Sequence, residues 1–323
     1  MIKLSEPWQK RVQLRLGALA LLGLLAVMMP AAEGLYWRFG LAAHFQMQLF
    51  LGVLCLAALA LLLRCWWALA GSGVLVAITF WPLMPLYLDT SQHTEKATFS
   101  VGAMNVLTRN RDHDAVLNAV RAREPDILLV METDRNWLAQ LETLRDLYPF
   151  ILAEPRRDNF GIALLSKFEP TKAEIRTFGE ADVPSVVAWY EIDGRRLLFV
   201  GTHPVPPSSA EAVRLRDGQM EEVAAFLRRR PPGWNTILAG DLNNTPFSAS
   251  FRNLLARTRL RDTAEGFGYQ PTWPVEMPWF WIPIDHILVS NKIRVADRSV
   301  GPAVGSDHFP VWAELGFAPS PSR

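Results

Sequence analysis

Cysteine is nearly absent from this 323-residue chain. There are two, Cys55 and Cys65, and both lie in its apolar first third. Everything that follows therefore has no means of forming a disulfide, a thiolate metal site or a cysteine nucleophile. Charge is scarce before about residue 90, and an excess of positive charge is missing afterwards: residues 97–323 hold 26 Lys and Arg against 28 Asp and Glu, a formal balance of −2. A domain so balanced is not built to grip nucleic acid chiefly through its phosphates. No internal repeat or low-complexity run is legible, and only the tail, residues 318–323, reads as disordered.

What is present changes character near residue 90. Three uncharged apolar runs, Leu16 to Ala32, Phe45 to Leu63 and Trp66 to Leu88, each approach the roughly 20 residues that cross a bilayer core as helix. Extended over its flank, the first covers about 12–32. Two further spans follow it and no small-residue cleavage site ends it, so residues 1–90 read as a three-helix membrane anchor rather than a secretory leader. Lys3, Lys10, Arg11 and Arg15 precede the first run and keep the N-terminus inside. Three crossings then deliver the rest to the outer side, periplasmic or extracellular. Gly71, Gly73, Pro82 and Pro85 in the third run are the feature that would break this count, because an even number of crossings reverses the topology.

From residue 97 to 317, short apolar runs alternate with amphipathic stretches. Phe99 to Val106, Ile127 to Met131, Ile162 to Leu165, Val186 to Ile192, Leu197 to Gly201, Ile237 to Ala239, Ile284 to Val289 and Val311 to Leu315 read as strands. Helices are expected from Asp112 or Asp114 to Arg123, from Asp134 to Leu147, from Ser208 or Ser209 to Arg230, and from Ser248 to Arg257. The alternation predicts an α/β domain of packed sheets with outer helices.

Polar residues stand at the ends of these strands, where loops hold them around a cleft. Asn105 closes the first strand and Glu132 the second. His203 follows a third in Gly-Thr-His, Asp241 and Asn243 form Gly-Asp-Leu-Asn, Asp285 opens Ile-Asp-His-Ile, and Asp307 with His308 forms Ser-Asp-His-Phe-Pro. Taken singly, each is an ordinary turn or cap. In this order, each beside an apolar strand, they resemble the motif series of the endonuclease/exonuclease/phosphatase superfamily, which includes DNase I-like nucleases, sphingomyelinases and inositol-polyphosphate phosphatases.

That resemblance covers nearly all of residues 97–317. It implies a four-layer α/β sandwich of the DNase I type, two mixed sheets flanked by helices, with its site at one edge. It also implies a metal-dependent phosphoesterase. Glu132 and Asn105, with Asp307, would hold Mg²⁺ or Mn²⁺ through oxygen. His308 would be general base or hydrogen-bond donor to the transition state, with Asp285 fixing its tautomer. Asp241 would orient water, Asn243 would donate to a phosphoryl oxygen and His203 would serve the leaving group. His286 alternates with Asp285 along a strand, points to the other face and reads as structural. His44, His93 and His113 read as solvated.

The fold does not choose a substrate. The anchor, the absence of net basic charge and the aromatic segment Trp273 to Pro283 all lean towards a phospholipid or polyprenyl phosphate met at the bilayer. Trp279, Phe280 and Trp281 suit an interface, a core cluster beneath the loop, or base stacking. Arg109 and Asn159 are further candidates for contact with substrate. A membrane-anchored nuclease acting on DNA or RNA is the second reading, and a non-catalytic membrane-bound scaffold the third.

Overall fold

The computed structural model describes residues 6–88, 93–94 and 96–318. Lys3 and the expected disordered tail from Pro319 lie outside the described residues, as does the side chain of Lys10. The chain divides into two compact units, with the boundary between Pro85 and Leu86.

The first unit is helical throughout. α1 (Glu6–Met28) runs into a 3₁₀ turn, α2 (Trp37–Leu41) leads through another into α3 (Gln46–Leu62), and α4 (Trp66–Phe80) ends in the 3₁₀ segment Trp81–Leu86. Among the described residues three stretches are long and apolar enough to cross a membrane, Arg11–Ala32, Trp37–Leu62 and Trp66–Leu86, of 22, 26 and 21 residues. Gly71 and Gly73 do not interrupt α4. Pro82 and Pro85 act only past its end, where the missing N–H of proline makes a tighter turn acceptable. Ser72 Oγ donates to Ala68 O and Thr79 Oγ1 to Leu75 O along their own helix, while Gln46 Nε2 of α3 donates across to Thr79 O of α4. Leu16, Leu56, Ala60, Cys65 and Ala68 form the seam where the helices meet.

The second unit is the expected sandwich. In chain order it contains β1 (Phe99–Asn105), α5 (His113–Arg123), β2 (Ile127–Met131), α6 (Arg135–Leu141), β3 (Phe150–Glu154), β4 (Ile162–Ser166), β5 (Lys172–Thr177), β6 (Pro184–Ile192), β7 (Arg195–Thr202), α7 (Ala210–Arg228), β8 (Asn235–Asp241), α8 (Ala249–Thr258), β9 (Leu260–Asp262), β10 (Asp285–Ser290), β11 (Ile293–Val300) and β12 (Val311–Phe317). They build two six-stranded sheets, ordered β11-β12-β1-β2-β4-β3 and β5-β6-β7-β8-β10-β9. Each sheet is mixed, with β1–β2 parallel in one and β7–β8 parallel in the other.

Strand periodicity sorts the side chains into three apolar layers. From β2, Ile127, Leu129 and Met131 face the other sheet and meet Phe199, Ile237, Ala239 and Ile287. Leu128 and Val130 face outwards onto Val116 and Val120 of α5 and Trp137 and Leu141 of α6. On the opposite outer face Leu198, Val200 and Leu238 meet Val223, Leu227, Phe251 and Leu254 of α7 and α8. Strands buried on both faces read as unbroken apolar runs, and each such side chain contributes about 1.5–3 kcal/mol on burial. The helices begin at side-chain caps: Asp112, Asp134 and Ser209 accept from the N–H groups of Ala115, Trp137 and Ala212. The helix expected to run to Leu147 shortens to Leu141 and closes as 3₁₀ over Glu142–Leu144.

Candidate active site

Topology brings the singled-out residues to one edge. β1 and β2 are parallel and β12 is antiparallel to β1, so Asn105, Glu132 and the Ser306–His308 turn share an end of the first sheet. β7 and β8 are parallel and β10 is antiparallel to β8, so His203, Asp241 and Asp285 share an end of the second, with Asp285 directly opposite Asp241 in register.

Asp241 is the hub. Its Oδ2 accepts from Asn105 Nδ2 at 3.2 Å and lies 3.4 Å from His203 Nε2 and 3.6 Å from His308 Nε2, while Oδ1 accepts from Asn243 N at 2.9 Å. His308 Nδ1 is 2.9 Å from Asp285 Oδ2, which gives Asp285–His308–Asp241 in series. Asn105 Nδ2 also donates to Glu132 Oε1 at 2.9 Å, and its own Oδ1 accepts from Leu107 N. Asn105 thus presents nitrogen, not oxygen, to the centre, and ties two carboxylates together. Glu132 Oε2 accepts from Thr108 N at 3.3 Å. Asn243 donates Nδ2 to Pro204 O, which pins the loop after β8 to the loop after β7.

Two backbone features hold this edge in place. Glu132 and Asn243 both sit in the left-handed region, at φ 62° and 47°, a conformation that non-glycine residues adopt at a cost and that gathers at functional sites. Gly240, at φ 142°, lies where a Cβ would fall 1.9 Å from Thr202 O, so only glycine lets β8 approach β7 next to Asp241.

Electrostatics follow from the crowding. Burial disfavours the charged form of His308, yet the carboxylates of Asp285 and Asp241, with Asp307 beyond them, outweigh it and raise its pKa. His203 behaves alike: burial is overcome by its hydrogen bond to Asp241 and by the charges of Asp241 and Glu132. Asp241 moves the other way, because the two imidazoliums outweigh its burial and hold its carboxyl down.

Four carboxylates, Glu132, Asp241, Asp285 and Asp307, thus meet two histidines at a nearly dry edge. Asp285 Oδ1 and Asp307 Oδ1 are buried with no hydrogen-bond partner. Such a donor set, all oxygen and imidazole, suits a divalent cation. Ligand atoms of Asp241, Asp285 and His308 lie within 4.8 Å of one another, close enough to share one.

Supporting contacts emerge to which the sequence motifs assign no role. Ser306 Oγ donates to Asn105 O and accepts from His308 N, which joins the two sides of the first sheet's edge. Thr272 Oγ1 accepts from Asp285 N, and the buried Arg298 donates to Asp285 O. Trp273 Nε1 donates to Asp307 Oδ2. His286 keeps to the other face, as its position on the strand requires: Nδ1 meets Asp262 Oδ2 at 2.8 Å and Nε2 meets Asn244 O at 2.9 Å. His44 is buried and His113 packs edge-on against Trp137, so neither is solvated as the sequence implied.

The aromatic segment divides. Trp281 tucks against Phe309, and Tyr269 Oη donates to its carbonyl. Trp279 is 86% exposed and Phe280 52%, so these two are not a core cluster. Arg109 and Asn159 are exposed, and Arg156 is engaged by Asp158.

The family model described as "Endonuclease/Exonuclease/phosphatase family" matches residues 97–308. The chain belongs to this family. Its members are metal-dependent phosphoesterases, and this member carries a buried Asp/His cluster where such chemistry belongs. Solved structures with the same fold include Caenorhabditis elegans TDP2 (truncated; TM-score 0.56, 21% identity, covering 68% of this chain and 98% of that one). TDP2 from D. rerio, complexed with a single-strand DNA product, aligns at TM-score 0.59 and 17% identity over 68% of this chain and 98% of its own. The beta toxin of Staphylococcus aureus aligns at 0.51 and 16%, over 67% and 99%. No curated protein matches the chain in sequence.

Proposed function

We propose that this endonuclease/exonuclease/phosphatase domain hydrolyses a phosphate ester borne by an amphiphile, a phospholipid or a polyprenyl phosphate, at the outer face of the membrane in which its N-terminal helices lie. The observation that carries the reading is the Trp273–Ile282 loop. Its tip exposes Met277, Trp279 and Phe280, an apolar cluster of the kind that enters a headgroup layer. Its base is bonded to the active site, Trp273 Nε1 to Asp307 Oδ2 and Val275 N to Asp307 O. A lipid gripped at the tip is thereby brought to the catalytic edge.

In the chemistry, Glu132 and Asp307 would supply oxygen ligands to Mg²⁺ or Mn²⁺. The cation supplies charge neutralisation on the phosphoryl oxygens. His308, kept protonated between Asp285 and Asp241, acts as a hydrogen-bond donor to a phosphoryl oxygen rather than as a base. Asp241 accepts a hydrogen bond from the attacking water and holds its lone pair in line. His203, backed by the same carboxylate, donates to the departing oxygen.

Trp279→Ser/Phe280→Ser tests the reading. Hydrolysis of vesicle-borne lipid phosphates should fall about tenfold or more, the scale of one or two aromatic contacts at about 1.5–3 kcal/mol each. A soluble chromogenic phosphodiester should be cleaved nearly as before. Equal loss on both would remove the lipid reading. The exposed ring of Trp279 also offers a stacking platform for a base, which keeps a nuclease as the second reading. That enzyme would cleave DNA or RNA with a steep salt dependence, which the −2 balance disfavours.

A further inference from the structure

The catalytic sheet has a second polar end. Because β8 and β10 are antiparallel, the end opposite Asp241 and Asp285 is formed by Asn235 and Ser290, beside the C-terminal ends of α7 and α8. The length of a strand, at about 3.3 Å per residue, puts it about 20 Å from the catalytic edge. A cleft of about 590 Å³ opens there, a size common among small-ligand sites.

Its lining is one-signed. Arg228, Arg230, Arg257, Arg259 and Lys292 line it, and no carboxylate does. This happens in a domain whose overall balance is negative. Outside the cleft Arg257 reaches Glu221 only at 3.8 Å, with both groups largely exposed, a contact that water screens. The floor is already satisfied: Asn235 Nδ2 donates to Arg196 O, Thr258 Oγ1 to Leu254 O, and Ser290 Oγ accepts from Thr236 N. Cationic groups at the mouth are therefore what the cleft offers to a ligand.

Helix ends account for part of this charge, since Arg228 and Arg257 stand in last turns, where a cation suits the macrodipole. They do not account for Lys292, in the turn between β10 and β11. Arg259 closes α8 in a left-handed cap, φ 57°, with its N–H on Leu255 O, so its backbone is fixed by the helix end while its guanidinium lines the cleft.

We propose that this cleft is a non-catalytic anion site that takes a phosphoryl group. Guanidinium forks match phosphate oxygens in pairs, and several together bind it far better than one. A soluble phosphate and the headgroup of an anionic phospholipid share this chemistry. Occupying the cleft leaves the reacting edge untouched, so the site recruits or orients and does not catalyse.

The test uses the full chain in nanodiscs and reads backbone hydrogen exchange at residues 228–234 and 257–260. One arm titrates inorganic phosphate into phosphatidylcholine discs, and the other replaces part of the lipid with phosphatidylglycerol and adds no phosphate. Protection in the first arm alone identifies a soluble phosphate site, and protection in the second alone a headgroup site. Arg259→Glu/Lys292→Glu should shift the phosphate or lipid dependence about tenfold or more, while hydrolysis of a chromogenic diester stays within about twofold of wild type. Should circular dichroism show that variant misfolded, Arg230→Gln carries the same comparison. No protection in either arm, or protection unchanged in the folded variants, overturns the proposal.

Discussion

Among single residues, the groups proposed to hold a cation are distinct from those proposed to move protons. With Glu132 as a ligand and His308 bonded to Asp285, Glu132→Ala should weaken Mn²⁺ binding about tenfold or more, while His308→Ala leaves it within a few-fold. Calorimetric titration decides this. Loss of Mn²⁺ by His308→Ala alone would instead make the Asp241, Asp285 and His308 trio the binding site. A second prediction concerns pH. Burial and the nearby charge of Asp262 raise the Glu265 carboxyl to about 7, against only partial relief from Arg261. Folded protein therefore holds a proton there that the unfolded chain has released above about 4.5. The stability this group contributes is full below that pH and is lost as pH rises through about 7. Glu265→Gln should flatten the melting temperature across that window relative to wild type, and parallel curves would show that Glu265 does not titrate as argued. The catalytic candidates were legible because each ends an apolar strand. Thr272 and Arg298 were not, nor was the bonding role of Ser306 within its motif, since a hydroxyl or guanidinium that bonds backbone across the fold leaves no periodic trace in sequence.

Among the elements, what the sequence revealed and what it hid follow the same physics. The strands legible beforehand, β1, β2, β4, β6, β7, β8, β10 and β12, are the interior strands of the two sheets, and β3, β5, β9 and β11 are the four edges. Interior strands are apolar on both faces. Edge strands are short or carry charge, as in Lys172–Thr177 and Ile293–Val300, because an exposed row of N–H and C=O groups must be guarded against pairing with another chain. Among the described residues the buried Asp262–His286 hydrogen bond ties β9 to β10 and, through Asn244 O, to the loop that carries Asn243. His286→Ala leaves Asp262 buried without its partner, and should cost about 3 kcal/mol in urea unfolding. A change below about 1 kcal/mol would mean that this pair is not a structural tie.

For the whole molecule, the proposed outer-face reaction depends on the side of a membrane to which the three candidate spans would deliver the domain. The proposed outer-side placement rests on the positive charges of Lys10, Arg11 and Arg15 in the first turns of α1, followed by three candidate spans. In a Cys55→Ala/Cys65→Ala background, Ser208→Cys on the exposed surface should react with a membrane-impermeant maleimide in intact spheroplasts. Labelling only after lysis would place the domain inside and remove the outer-face substrates. The reaction proposed for this edge is hydrolysis of a lipid phosphate. It is tested most directly by presenting the full chain in detergent micelles with plasmid DNA, RNA, phospholipids, a polyprenyl pyrophosphate and a chromogenic phosphodiester, with Mg²⁺ or with EDTA, beside Glu132→Ala. The account predicts EDTA-sensitive release of phosphate or a phosphorylated headgroup from a lipid substrate, abolished in Glu132→Ala. Turnover of nucleic acid alone, or turnover that Glu132→Ala leaves intact, would contradict it.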